Sequence, residues 1–144
     1  MKKILILCQH NTARSQMAEG YLNFFAGDQV LVQSAGIDAK IMHPLAVKVM
    51  KEDNIDITTQ SPKLAKQLLK HKYDFLITFG EEIPVSFLKK IRSLRQLYLE
   101  IQDPILTEED LEASFRETRE TVKKFVLKFI GKELTQSIST SPLY

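Results

Sequence analysis

The stretch Lys2-Lys3-Ile4-Leu5-Ile6-Leu7-Cys8-Gln9-His10-Asn11-Thr12-Ala13-Arg14-Ser15 decides how the chain reads. Ile4 to Leu7 are apolar without alternation, the pattern of a parallel strand covered on both faces. An amphipathic helix follows at once, with Met17, Ala18, Tyr21, Leu22 and Phe25 spaced to share one face. The loop between them is short and must turn tightly. Its backbone N–H groups therefore converge near the helix N-terminus, where four donors lack partners inside the helix. Converging donors at the positive end of a helix dipole form an anion site.

Cys8 opens this loop and Arg14 closes it. A thiol at the mouth of an electropositive nest is in the setting that yields a reactive thiolate. Arg14 offers a planar fork that fits two oxygens of a tetrahedral oxyanion. Ser15 is placed to donate a hydrogen bond to the sulfur, and Asn11 tolerates the left-handed backbone of a tight loop. Gln9, His10, Asn11, Thr12, Ala13, Arg14 and Ser15 thus form the expected oxyanion-binding segment. The parts describe a nucleophilic sulfur aimed at the central atom of a bound phosphate or arsenate. A lone cysteine at a strand end also reads as a small buried hydrophobe. The strand before, the helix after and the Arg-Ser pair favour the oxyanion site, and no glycine-rich loop with a P-loop lysine explains the turn otherwise.

Further along, Val30 to Gln33 reads as a second strand that ends in Ser34-Ala35-Gly36. His43-Pro44 opens a helix, with proline suited to its first turn and Leu45, Ala46, Val49 and Met50 as its buried stripe. Ser61-Pro62 reads as the start of another helix, burying Leu64, Ala65, Leu68 and Leu69 and leaving Lys63, Lys66, Lys70 and Lys72 in solvent. Asp74 to Thr78 reads as a third strand. The loop Phe79-Gly80-Glu81-Glu82-Ile83-Pro84 follows it, toward the anion site. Val85 to Ile91 reads as a short helix and Leu94 to Ile101 as a fourth strand, with Glu100 at its end. Asp103-Pro104 comes next, at a strand carboxyl end, where open α/β sheets bind ligands. An aspartic acid there can protonate a leaving oxygen and later act as base, although Asp-Pro also simply starts turns. A long last helix has Thr107 as its expected N-cap and acidic residues in the first turn. Leu111, Phe115, Thr118, Val122, Phe125, Val126 and Phe129 mark its buried positions, and Gly131 its end.

Strands alternating with helices give a three-layer α/β domain with a parallel sheet. A length of 144 residues fits one domain, read as residues 1–132, with 133–144 as a loose Ser/Thr-rich tail. Hydrophobic content of 44% and charged content of 26% are ordinary for a globular chain. A net charge of +2 gives no support to nucleic-acid or membrane binding. No segment reaches the ~18 apolar residues of a membrane span, and the start reads as a strand rather than a signal peptide. One cysteine excludes a disulfide within these residues and points to a reducing, cytoplasmic setting. His10, His43 and His71 are scattered, so no metal-ligand spacing exists and no bound cofactor is expected.

The segment Cys8-Gln-His-Asn-Thr-Ala-Arg14-Ser15-Gln-Met-Ala-Glu-Gly20 resembles the signature shared by low-molecular-weight protein tyrosine phosphatases and related arsenate reductases. Ser34-Ala35-Gly36, the stretch His43 to Ile57, Asp103-Pro104 and Phe115-Arg116-x-x-Arg119 resemble that family in the same order, over about residues 2 to 131. The resemblance implies a four-stranded sheet of order 2-1-3-4, with the Cys8 loop at the switch point. It implies that Cys8, Arg14 and Asp103 are catalytic and that Asn11, Ser15 and Ser34 support the loop.

The resemblance leaves two chemistries. A phosphatase would take the phosphoryl group of phosphotyrosine onto Cys8; a reductase would form a thiol–arsenate adduct that a second thiol must break. Family phosphatases usually wall the cleft with aromatic residues after the Asp-Pro, where this chain has Ile105 and Leu106. Thioredoxin-coupled reductases carry two further cysteines, which this chain lacks. The expectation is therefore a reductase served by an external reductant, either a low-molecular-weight thiol or a glutaredoxin-type protein. The phosphatase stands as the alternative, and a non-catalytic anion-binding protein as the third class.

Overall fold

Ile4, Leu5, Ile6 and Leu7 are fully buried because the strand that holds them runs through the middle of the sheet. The computed structural model describes residues 1–80 and 83–134. Its strands are β1 (Lys2–Cys8), β2 (Val30–Gly36), β3 (Lys72–Phe79) and β4 (Arg92–Leu99), and all pair in parallel. The order is β2-β1-β3-β4, so the chain reverses its direction of winding between β1 and β3, and Cys8 ends β1 at that point.

Alternate residues of β1 enter two separate cores. Ile4, Ile6 and Cys8 face α1 (Arg14–Ala26), α2 (Pro44–Glu52) and α4 (Leu111–Phe129), meeting Met17, Tyr21, Met50, Phe115 and Val122. Leu5 and Leu7 face the opposite layer with Leu68, Tyr73, Leu76 and Ile91. That layer is thin: a 3-10 turn at Ala65–Leu68 and the four-residue α3 (Val85–Leu88) cover it. Among the described residues no helix is long and apolar enough to cross a membrane.

Several boundaries differ from the sequence reading, each for a physical reason. No helix begins at Ser61-Pro62. The backbone there bonds sideways instead: the Lys63 N–H donates to Asn11 Oδ1 at 2.9 Å, and the Lys63 carbonyl accepts from the Gly36 N–H at 2.8 Å. These tertiary bonds hold residues 63–64 extended, and only one turn, Ala65–Leu68, winds afterwards. Lys63 is half-buried and reaches Glu19 at 3.9 Å, so it does not belong to a solvated face. The last helix is capped by Asp110, whose Oδ1 accepts from the N–H groups of Glu112 and Ala113; Thr107 accepts only from Glu109 in a local turn. Gly131 does not stop that helix but lies inside a closing π-type turn, Ile130–Leu134, in which Leu134 is buried. The fourth strand begins at Arg92, two residues earlier than its apolar pattern predicts, because it is an edge strand pairing with Lys72 onward. Leu111 and Phe25 lie 38% and 37% exposed, at the rims of their helices rather than in the core. Glu81, Glu82 and the tail from 135 to 144 lie outside the described residues.

Arg116 and Arg119, part of the motif in the last helix, tie α4 to α2. Arg116 Nε and Nη2 donate to the two Glu52 oxygens at 2.9 and 2.8 Å, and Arg119 Nη1 donates to Glu52 and to the Val49 carbonyl. The two guanidinium groups hold the Glu52 carboxyl down to about 2. A carboxyl depressed in the folded state adds stability above its ordinary value near 4.5, and the gain vanishes as pH falls to about 2. Melting temperatures taken between those limits should fall more steeply for the native chain than for Glu52→Gln. High salt should shrink the difference, because the pair is exposed.

Candidate active site

The loop from Cys8 to Arg14 is held from outside by its carbonyl groups. The Gln9 carbonyl accepts from the Asp38 N–H (3.1 Å), the His10 carbonyl from Lys40 (3.2 Å) and the Thr12 carbonyl from His43 (3.1 Å). Every peptide among the described residues is trans, so each N–H points opposite to the carbonyl of its own peptide unit. With these oxygens turned to the 38–43 segment, the N–H groups of His10, Asn11 and Ala13 turn the other way, into the loop. No side chain caps α1, whose N-cap is Ala13, and no acidic residue lies in its first turn. The first turn of α1 therefore carries neither a side-chain cap nor an acidic residue to compete with an anion at its N-terminus.

Asn11 is the loop's pivot. Its φ is +56°, a left-handed conformation that Asn accepts more readily than most residues. Fully buried, it donates through Nδ2 to Ser15 Oγ at 2.7 Å and to Ser34 Oγ at 3.0 Å. Its Oδ1 accepts from Gln16 Nε2 (3.1 Å) and from the Lys63 N–H.

The donor directions can be followed to the sulfur. Glu19 Oε1 accepts from both the Ser34 N–H (3.0 Å) and the Ser34 hydroxyl (2.6 Å). The single Ser34 hydroxyl proton is therefore committed, and Ser34 Oγ can only accept from Asn11. The two Asn11 amide hydrogens go to Ser34 and Ser15. Ser15 accepts from Asn11, which leaves its own proton available to Cys8 Sγ, 2.9 Å away. The network thus places a hydroxyl beside the sulfur. The sequence reading misses Glu19, although it lies one turn after Ser15 on the same side of α1. Gln16, which donates to the Asn11 carbonyl and to Oδ1, is missed for the same reason.

Cys8 is 2% exposed at the end of β1. Arg14, also buried, extends across the site: Nη1 donates to the Ile101 carbonyl at 3.0 Å, and Nη2 lies 3.7 Å from Asp103 Oδ2. The guanidinium therefore joins the loop to the segment after β4. Asp103 is 7% exposed, and its Oδ1 accepts from the Ile105 N–H. Ile105 and Leu106, the residues that follow, are 46% and 63% exposed, so no aromatic wall stands there. Cys8, Arg14, Ser15 and Asp103 meet at one end of the sheet, with Asn11 and Ser34 behind them. Among the described residues no cluster of three or more His, Cys, Asp or Glu could hold a metal ion.

Gly36 sits against the back of the loop. A Cβ built there would lie 2.3 Å from the Asp38 carbonyl oxygen and 2.8 Å from the His10 carbonyl carbon, both backbone atoms that cannot step aside. Gly36→Ala should push the loop off the sheet, costing about 1–3 kcal/mol and at least about tenfold in turnover. Thermal melts and steady-state rates on the same preparation check both.

Comparison with known proteins agrees with this architecture. The model of the low molecular weight phosphotyrosine protein phosphatase family matches residues 3–140. An arsenate reductase of Halalkalibacterium halodurans is 36% identical over 135 residues, spanning 89% of this chain and 94% of that protein. A glutaredoxin arsenate reductase of Synechocystis sp. is 30% identical over 137 residues, spanning 92% and 98%. Among solved structures, an arsenate reductase in the phosphate binding state superposes with a TM-score of 0.78 at 30% identity, covering 92% of this chain and 98% of its own. The YwlE arginine phosphatase from Geobacillus stearothermophilus reaches the same TM-score at 21% identity over the full length of both chains, a likeness of fold alone. The sheet order, the loop that closes on Arg14 and a family match over nearly every residue converge, and the chain is an enzyme belonging to the low molecular weight phosphotyrosine protein phosphatase family.

Proposed function

We propose that this enzyme is a thiol-dependent arsenate reductase in which Cys8 is the nucleophile. The observation that carries the reading is the sulfur of the sequence's one cysteine, beneath inward-turned N–H groups, with the Ser15 hydroxyl 2.9 Å away. Arsenate binds with its oxygens on the loop N–H groups and on Arg14. The Cys8 thiolate attacks arsenic, Asp103 protonates the departing oxygen, and water leaves. Arg14 and the α1 N-terminus balance the charge that builds on the remaining oxygens.

Reduction then needs a second thiol, and the 144 residues contain no other cysteine. An external thiol therefore attacks the adduct: a low-molecular-weight thiol, or a glutaredoxin-type protein like the one named for the Synechocystis relative. The cytoplasm, where thiols stay reduced, is the setting this chemistry requires. One observation favours a second reading. The Asp103 carboxyl, close to Arg14 at the mouth of the site, also suits protonation of a phenolic leaving oxygen. In that reading the chain hydrolyses phosphotyrosine through a Cys8 phosphoenzyme.

Side-by-side turnover separates the two. Arsenate with a panel of thiols should yield arsenite only when thiol is present. Release of p-nitrophenol from its phosphate ester without any thiol-dependent arsenite would replace the reductase with the phosphatase.

A further inference from the structure

Two residues past Cys8, the loop carries an imidazole with a carboxylate partner. His10 Nδ1 lies 2.5 Å from Asp38 Oδ1, and Gln9 Nε2 donates to Asp38 Oδ2 at 3.5 Å. Asp38 is itself fixed to the loop, since its N–H donates to the Gln9 carbonyl. The His10 side chain is 25% exposed and that of Asp38 51%, so the pair sits at the rim and not in the core. The His10 hydrogen bond holds the Asp38 carboxyl below the usual range, and as a carboxylate it can only accept. Nδ1 therefore carries a hydrogen, and when the ring is neutral its lone pair is on Nε2, on the side away from Asp38. Among the described residues nothing bonds to Nε2. Two residues of chain span at most about 7 Å, so the His10 backbone lies within that distance of the Cys8 backbone. The other charged group that acts on Asp38 is Lys40, on the 38–43 segment.

We propose that His10, oriented by Asp38, is the base that takes the proton from the incoming low-molecular-weight thiol. The proposal rests on the reductase reading. The incoming thiol, RSH, gives its proton to His10 Nε2, and its sulfur attacks Cys8 Sγ of the adduct. The S–S bond of Cys8–S–S–R forms, the S–As bond breaks, and its electron pair stays on arsenic. Arsenic(V) becomes arsenic(III), the two sulfurs are oxidised to the disulfide, and His10 passes the proton to an oxygen of the departing arsenite. A neutral thiol is a poor nucleophile, so this step gains most from a base when the thiol is un-ionised at the working pH. Asp38 is a positioning residue: it selects the tautomer and fixes the direction of Nε2.

The test compares two thiols on the full chain at neutral pH with saturating arsenate. One is 2-mercaptoethanol, largely un-ionised. The other is thionitrobenzoate, already a thiolate. With 2-mercaptoethanol, Asp38→Asn should slow arsenite formation by roughly tenfold or more and His10→Gln by about 10²-fold. With thionitrobenzoate Asp38→Asn should slow it less than about twofold, and His10→Gln should slow it markedly less than it does with 2-mercaptoethanol, because no proton needs removing. Asp38→Glu, which keeps the carboxylate, should recover part of the loss. Equal slowing with both thiols would mean a structural role only and would overturn the assignment of the base while leaving the reductase standing. No arsenite from the native chain with either thiol would overturn both.

Discussion

Cys8→Ser is expected to abolish turnover on arsenate and on aryl phosphate alike, by a factor on the order of 10⁴ or more, and to leave the fold intact. A serine oxygen fits where the sulfur is, within reach of Ser15, and the site is already buried, so packing changes little. What is lost is the nucleophile. A hydroxyl is a far weaker nucleophile than a sulfur in the same place. The variant should still bind oxyanion, because the N–H groups of His10, Asn11 and Ala13 are turned inward by bonds that do not involve residue 8. Phosphate should therefore raise the melting temperatures of Cys8→Ser and of the native chain alike. Residual turnover within about tenfold of native on either substrate would remove Cys8 from the chemistry.

Asn11→Ala is expected to be the most destabilising change in the loop. The side chain supplies two donated and two accepted hydrogen bonds, all in a fully buried place. Its loss strands the Lys63 N–H and frees the Ser15 and Ser34 hydroxyls from their fixed directions, at about 1–3 kcal/mol for each buried group left unpaired. Alanine also pays about 1 kcal/mol for a φ of +56° that asparagine tolerates. A total near 4 kcal/mol corresponds to a fall in melting temperature of roughly 10 °C for a chain of this size. Asn11→Asp makes the control: it keeps the left-handed conformation and the acceptor for Lys63 but has no hydrogens to give. Ser15 then loses the donor that turns its own proton toward the sulfur. Asn11→Asp should keep more stability than Asn11→Ala and lose comparable activity. If Asn11→Ala melts within about 1 kcal/mol of the native chain, the loop is not held as described.

The apolar run Ile4 to Leu7, the periodic helices and the spacing from Cys8 to Arg14 are local patterns, and local patterns are legible without coordinates. They were enough for a parallel α/β sheet, for the loop between β1 and α1, and for the residues gathered in it. A helix after Ser61-Pro62 was read from equally good periodicity and does not form, because its backbone is claimed by Asn11 and Gly36 from distant parts of the chain. Arg116 and Arg119 of the motif in the last helix, part of the family resemblance, hold two helices together through Glu52.

Sequence by itself determined the fold class, the family and the identity of the one sulfur nucleophile available, since these follow from residue types and short-range spacing. Only the tertiary structure decided which way the hydrogen bonds run. Glu19 takes the Ser34 proton, so that Ser34 accepts from Asn11, and Asp38 takes Nδ1 of His10. A donor's direction depends on every partner it meets, and those partners come together only when strands far apart in the chain are laid side by side.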